Sequence, residues 1–140
     1  MTASLNVPHP AVARHLTLRW LVVGLEAFIA VGALAGTWQL WTGTFAPPVS
    51  DLEPLGLDSW RLPAVWLFAS VAAPSLVALY AAAADRTWAP YAVLVASALL
   101  IVEVTVQIPF VGPSALQAVM GGIALVLGAV AVVSLRARET

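Results

Sequence analysis

The sequence predicts an all-α fold, a polytopic membrane protein forming a four-helix transmembrane bundle with both termini cytoplasmic. Three observations lead there. Of 140 residues, 61% are hydrophobic and 9% charged, whereas soluble domains are about half apolar and about a quarter charged. Four apolar stretches (18–40, 63–84, 88–109 and 114–135) are each long enough, at about 1.5 Å per residue, to cross a hydrocarbon core about 30 Å thick. Arg14, Arg19, Arg86, Arg136 and Arg138 all fall on one side of these stretches, and Arg61 alone falls on the other. The positive-inside rule then places the termini and the second loop in the cytoplasm, and the first and third loops outside. The chain is one membrane domain over 1–140, and the expected location is the cell membrane, multi-pass. Backbone groups in lipid must be satisfied internally, so the spans are helices.

The first span follows Arg14 and Arg19 and ends on Trp38-Gln39-Leu40-Trp41, an interfacial pattern. A cleaved signal peptide is the alternative, since Ala33-Leu34-Ala35 offers small residues for cleavage. Glu26 inside the apolar run and the tryptophans after it favour a retained helix. The external loop, 42–62, carries Asp51, Glu53 and Asp58 against Arg61. Its Leu52, Leu55, Leu57 and Trp60 suit a segment lying on the membrane surface or over the bundle mouth, and a solvated linker is the other reading. Pro47, Pro48 and Pro54 exclude one continuous helix there.

Pro63 suits the first turn of span two, and Pro74 removes the bond to the Ser70 carbonyl, so this span should kink, with Ser70 or Ser75 satisfying the freed groups. Asp85-Arg86-Thr87 separates spans two and three, and Gly112-Pro113 closes spans three and four into a tight hairpin. Ser114 followed by Gln117 reads as a capping box opening span four. Trp20, Trp38, Trp41, Trp60 and Trp88 lie near span ends, where indoles anchor at the headgroup level, and Trp66 fits that belt less well.

Several chemistries are excluded at once. The chain has no Cys, so disulfides, thiolate metal sites and catalytic thiols are absent. His9 and His15 both precede the first span, which leaves no imidazole at membrane depth for haem or metal. A net charge of −1 gives no basic field for nucleic acid. No cofactor is expected, except that a quinone fits the polar site described next.

Two acids stand out, because a charge at membrane depth costs roughly 2.5–3.5 kcal/mol on the insertion scale. Counting along spans that run outward, Glu26 lies about 10 Å deep from the cytoplasmic face and Glu103 about 22 Å deep, too far apart for a direct carboxylate pair. Gln107 is one turn beyond Glu103, and Gln117 and Arg61 enter from the outer ends of spans four and two. Glu103, Gln107, Gln117 and Arg61 could form an outer-leaflet pocket, covered by the first loop, for a lipid headgroup or quinone-like molecule. The competing reading is an interhelical network in which Gln107 and Gln117 join spans three and four while Arg61 snorkels to Glu103. For Glu26, an ion pair with Arg19 or Arg136 competes with proton transfer. Gly32 with Gly36, and Ala124 with Gly128, have the i, i+4 small-residue spacing of close helix contacts, either within the bundle or with another subunit.

Glu103-xxx-Gln107 followed by Gly112-Pro113-Ser114-x-Leu116-Gln117 and Gly122, together with the four-span layout and long first loop, resembles small actinobacterial DoxX-like membrane proteins of unassigned function. The resemblance implies chiefly the four-helix bundle. DoxX-like proteins are linked to quinone or thiol redox membrane complexes, and without cysteine the thiol role does not carry over. With no nucleophile–base or metal constellation, the first expectation is a non-catalytic accessory or assembly subunit of an inner-membrane complex, with the bilayer and other membrane subunits or a second copy as partners. The alternative is a binder or redox partner of a lipophilic ligand, and proton conduction through Glu26 and Glu103 comes third.

Overall fold

The computed structural model describes residue 7 and residues 9–140. Four long helices carry almost all of it: α1 (Pro10–Thr42), α2 (Arg61–Ala83), α3 (Ala89–Val111) and α4 (Ala115–Glu139), each long and apolar enough to cross a membrane. Among the described residues there is no strand. In the most apolar stretch of every helix no more than 33% of residues are buried inside the bundle, and Phe28, Val31, Trp38 and Leu125 lie more than half exposed on its outside. Side chains of this kind need lipid rather than water around them.

The helices overrun the expected spans, most of all at the start, where α1 begins at Pro10 rather than 18. An apolar count registers only the part inside hydrocarbon, whereas the helix needs only good propensity to continue. Pro10 presets φ for a first turn, and 33 residues make a rod about 50 Å long that outreaches the bilayer core. Gly43, at φ 75°, ends it in the left-handed conformation.

The first and last helices both meet the α2–α3 turn. Arg19 donates from Nε to the Ala82 carbonyl at 2.9 Å and from Nη2 to the Ala83 carbonyl at 2.6 Å, satisfying acceptors that the end of α2 leaves open. Arg138, in the last turn of α4, donates to the Thr87 carbonyl. The start of α1 and the end of α4 thus share one end of the bundle, and the long first loop lies at the other. There, the capping box opening α4 is present in full: Gln117 N–H donates to Ser114 Oγ at 3.2 Å, and Ser114 N–H to Gln117 Oε1 at 3.0 Å.

Alanines dominate the core. Ala72, Ala78, Ala124 and Ala131 pack with Ile29, Val71, Leu100 and Leu127, so backbones approach closely, as association in lipid favours. The tightest approach is at Gly36, where a Cβ would lie 3.1 Å from Leu67 Cδ2. Gly32 faces Met120 of α4, and Gly128 faces Ser97 of α3. These contacts lie within the bundle, as does that of fully buried Ala124.

Span two is irregular where Pro74 predicts a kink, and the irregularity takes a specific form. Phe68–Ala72 makes a π-helical turn between the α-helical segments Arg61–Leu67 and Ala73–Ala83. Pro74 has no N–H for the Ser70 carbonyl, and a wider turn absorbs the mismatch. Ser70 Oγ donates back to the Trp66 carbonyl at 2.8 Å.

Candidate functional site

The first loop is folded over the bundle rather than being a solvated linker. Val49–Leu55 forms a short 3-10 helix that packs on α3, and its Leu52 is 1% exposed. Trp60 Nε1–H donates to the Pro47 carbonyl at 2.8 Å and ties the loop's two halves together. Trp60 therefore braces the loop, whereas Trp20, Trp38, Trp41 and Trp88 are exposed on the bundle surface as a belt of anchors would be.

Beneath this roof lies a cavity of about 800 Å³ between α2 and α3. Leu40, Leu52, Leu57, Val106 and Phe110 make it apolar, and Trp66, Glu103 and Gln107 supply its polar end. Glu103 is 6% exposed and receives two donors. Trp66 Nε1–H donates to Oε2 at 2.5 Å and Gln107 Nε2–H to Oε1 at 2.8 Å, while Ser70 Oγ, whose single proton goes to the Trp66 carbonyl, lies 3.3 Å from the same Oε2. Each pair is one helical turn apart, Trp66 with Ser70 on α2 and Glu103 with Gln107 on α3, so two short polar stripes face each other across one seam.

Two of the four residues expected here are elsewhere. Arg61 is exposed at the start of α2, its guanidinium carbon 5.7 Å from the centroid of the Trp41 ring, a distance at which the ring face attracts the cation. Gln117 is buried, but its side-chain oxygen is committed to the Ser114 N–H. No hydrogen bond joins it to Gln107 among the described residues. Sequence position gives a residue's depth and leaves its facing open, which is why Arg61 and Gln117 looked like neighbours of Glu103. Trp66 and Ser70 take their places. The signal for them was an indole inside a span rather than at its end: an N–H at that depth needs an acceptor.

No family model, curated protein or solved structure matches the chain. Function therefore has to come from the chemistry of the site.

Glu26 presents the opposite arrangement. It is 0% exposed, and neither carboxyl oxygen has a hydrogen-bond partner. Buried Ser75 of α2 is turned toward it without closing a bond of normal geometry. The expected ion pair does not form, since Arg19 is drawn to the end of α2 and to Asp85, 3.7 Å away. The two membrane-depth acids thus sit on different seams, Glu103 beside Ser70 and Glu26 beside Ser75. Among the described residues no three His, Cys, Asp or Glu side chains group as metal ligands.

Proposed function

We propose that this protein is a binder of a lipophilic small molecule, held beneath the first loop with its polar head against Glu103 and Gln107 and its apolar body along the leucine-rich walls. One observation carries this reading: a carboxyl group fixed by two donors at the polar end of an otherwise apolar cavity. Ligand sites are typically concave and apolar, with a few converging polar groups, and have volumes of about 300–1,000 Å³.

The chemistry narrows the ligand class. Glu103 accepts in both of its hydrogen bonds, and Gln107 spends an N–H on it, so what the pair still offers a guest is largely acceptor capacity. A head group with hydroxyl or phenolic donors suits it, as in a quinol or the polyol end of a lipid. The DoxX-like resemblance supports a quinol, the hydroxyl-bearing reduced form of a quinone, among these. Arginine placement supports a multi-pass protein of the inner membrane with cytoplasmic termini, which puts the pocket in the outer leaflet.

Native mass spectrometry of the protein released from mild detergent tests this. The wild type should carry a small lipophilic adduct that is reduced in Glu103→Gln and in Gln107→Ala, with both variants still folded. Identical adduct content in all three would overturn the reading. A pocket always empty in a chain that invariably co-purifies with another membrane protein would favour the accessory-subunit role instead.

A further inference from the structure

At the opposite end of the bundle, a second cavity of about 400 Å³ lies between α1, α3 and α4 beside the α2–α3 turn. Its rim holds Arg14, His15, Arg19, Arg86 and Arg138, with Asp85 the one acid among the lining residues. The arginines are unequally occupied. Arg19 is committed to the Ala82 and Ala83 carbonyls and to Asp85, and Arg138 donates to the Thr87 carbonyl. Arg86 donates from one nitrogen to the Tyr80 hydroxyl at 2.9 Å. Arg14 has no side-chain hydrogen bond or ion pair among the described residues. A single carboxylate, already shared by Arg19 and His15, leaves a clear excess of positive charge, and Arg14 and Arg86 have donors to spare.

Below this rim the walls turn apolar, through Leu18 and Val22 of α1, Val93 of α3, and Val130 and Val133 of α4. From Arg138 to Val130 the cavity follows α4 for about 12 Å. A free anion would occupy the rim and leave that depth unfilled, whereas a phospholipid matches both parts.

We infer that this cavity is a binding site for an anionic glycerophospholipid, its phosphate held by Arg14 and Arg86 and the upper part of an acyl chain lying along Val22, Val130 and Val133. Basic pockets between membrane helices bind anionic head groups in this way, and each arginine near the phosphate contributes about fivefold in affinity. The site is separate from the pocket beneath the first loop and does not depend on that pocket's ligand.

The test is native mass spectrometry of the detergent-purified chain titrated with phosphatidylglycerol or with phosphatidylcholine of the same acyl chains. Phosphatidylglycerol should bind more tightly. Its advantage should fall roughly fivefold in each of Arg14→Gln and Arg86→Gln, and stay unchanged in Arg61→Gln at the far end. Neither replaced arginine holds a helix end, and an unchanged thermal midpoint confirms the fold. Inorganic phosphate and glycerol 3-phosphate at millimolar concentration should not displace the lipid. Equal binding of the two lipids would overturn the inference, as would full displacement by inorganic phosphate alone, which would mark a simple anion site.

Discussion

Glu103 lies on the α2–α3 seam with Trp66 and Gln107 donating to its carboxyl group and Ser70 beside it, whereas Glu26, against Ser75 of α2, is wholly enclosed with both oxygens unpartnered. Both are acids at membrane depth in one small bundle, and the difference lies in what the facing helix provides. Opposite Glu103, α2 presents an indole N–H and a hydroxyl one turn apart, and α3 adds an amide from its own next turn. Opposite Glu26 there is one serine among alanines. The Glu103 cluster is hydrogen-bonded and borders a cavity, while Glu26 is sealed in the core without a hydrogen-bond partner. Ser70 lies within the π-helical turn Phe68–Ala72, and Ser75 lies beyond it in the α-helical segment Ala73–Ala83.

The contrast can be broken by substitution. Glu103→Leu should have the largest effect, a loss of about 2 kcal/mol in bundle stability, because it leaves the Trp66 and Gln107 N–H groups without their acceptor. Unfolding the micelle-embedded protein with increasing dodecyl sulfate measures it, and an unchanged midpoint would mean that the cluster contributes nothing. Glu26→Met should move the other way in the same titration, gaining about 1–2 kcal/mol, because an unpartnered polar group is replaced by an apolar one of similar size. A loss there would show that the Glu26 carboxyl has a partner after all.

Smaller effects sharpen the boundary of the site. Gln117→Ala should cost about 1 kcal/mol through the lost cap and leave bound lipophile unchanged in an organic extract, since Gln117 serves Ser114 and not the pocket. Gly36→Ala should cost less than about 1 kcal/mol, because the atom its Cβ would crowd is the end of the Leu67 side chain, which can turn aside.

Much of the architecture was legible in the sequence because lipid imposes simple rules. Four spans, the Gly112-Pro113 turn and the Ser114–Gln117 cap follow from length, backbone satisfaction and local hydrogen bonding. Helix ends were not, since α1 continues outside hydrocarbon where an apolar count stops registering it. At the site, Glu103 and Gln107 could be paired because i and i+4 share a face within one helix. Which helix faces them depends on rotations about four axes, and nothing local fixes those. Trp66 and Ser70 therefore came from the structure, while Arg61 and Gln117, at suitable depth but differently aimed, dropped out. Pro74 announced an irregularity, but whether a kink or a π turn accommodates it is decided by the packing of α2 on its neighbours.

The difference between the two acids is tested most directly by photolabelling the micelle-embedded protein with a diazirine-bearing alkyl phenol and mapping the modified residues. Labelling should saturate on the cavity beneath the first loop, at Leu52, Trp66, Glu103 and Gln107, fall away in Glu103→Gln and persist in Glu26→Gln. Labelling spread evenly over the lipid-facing helices, or equally reduced by both substitutions, would contradict a ligand site at Glu103.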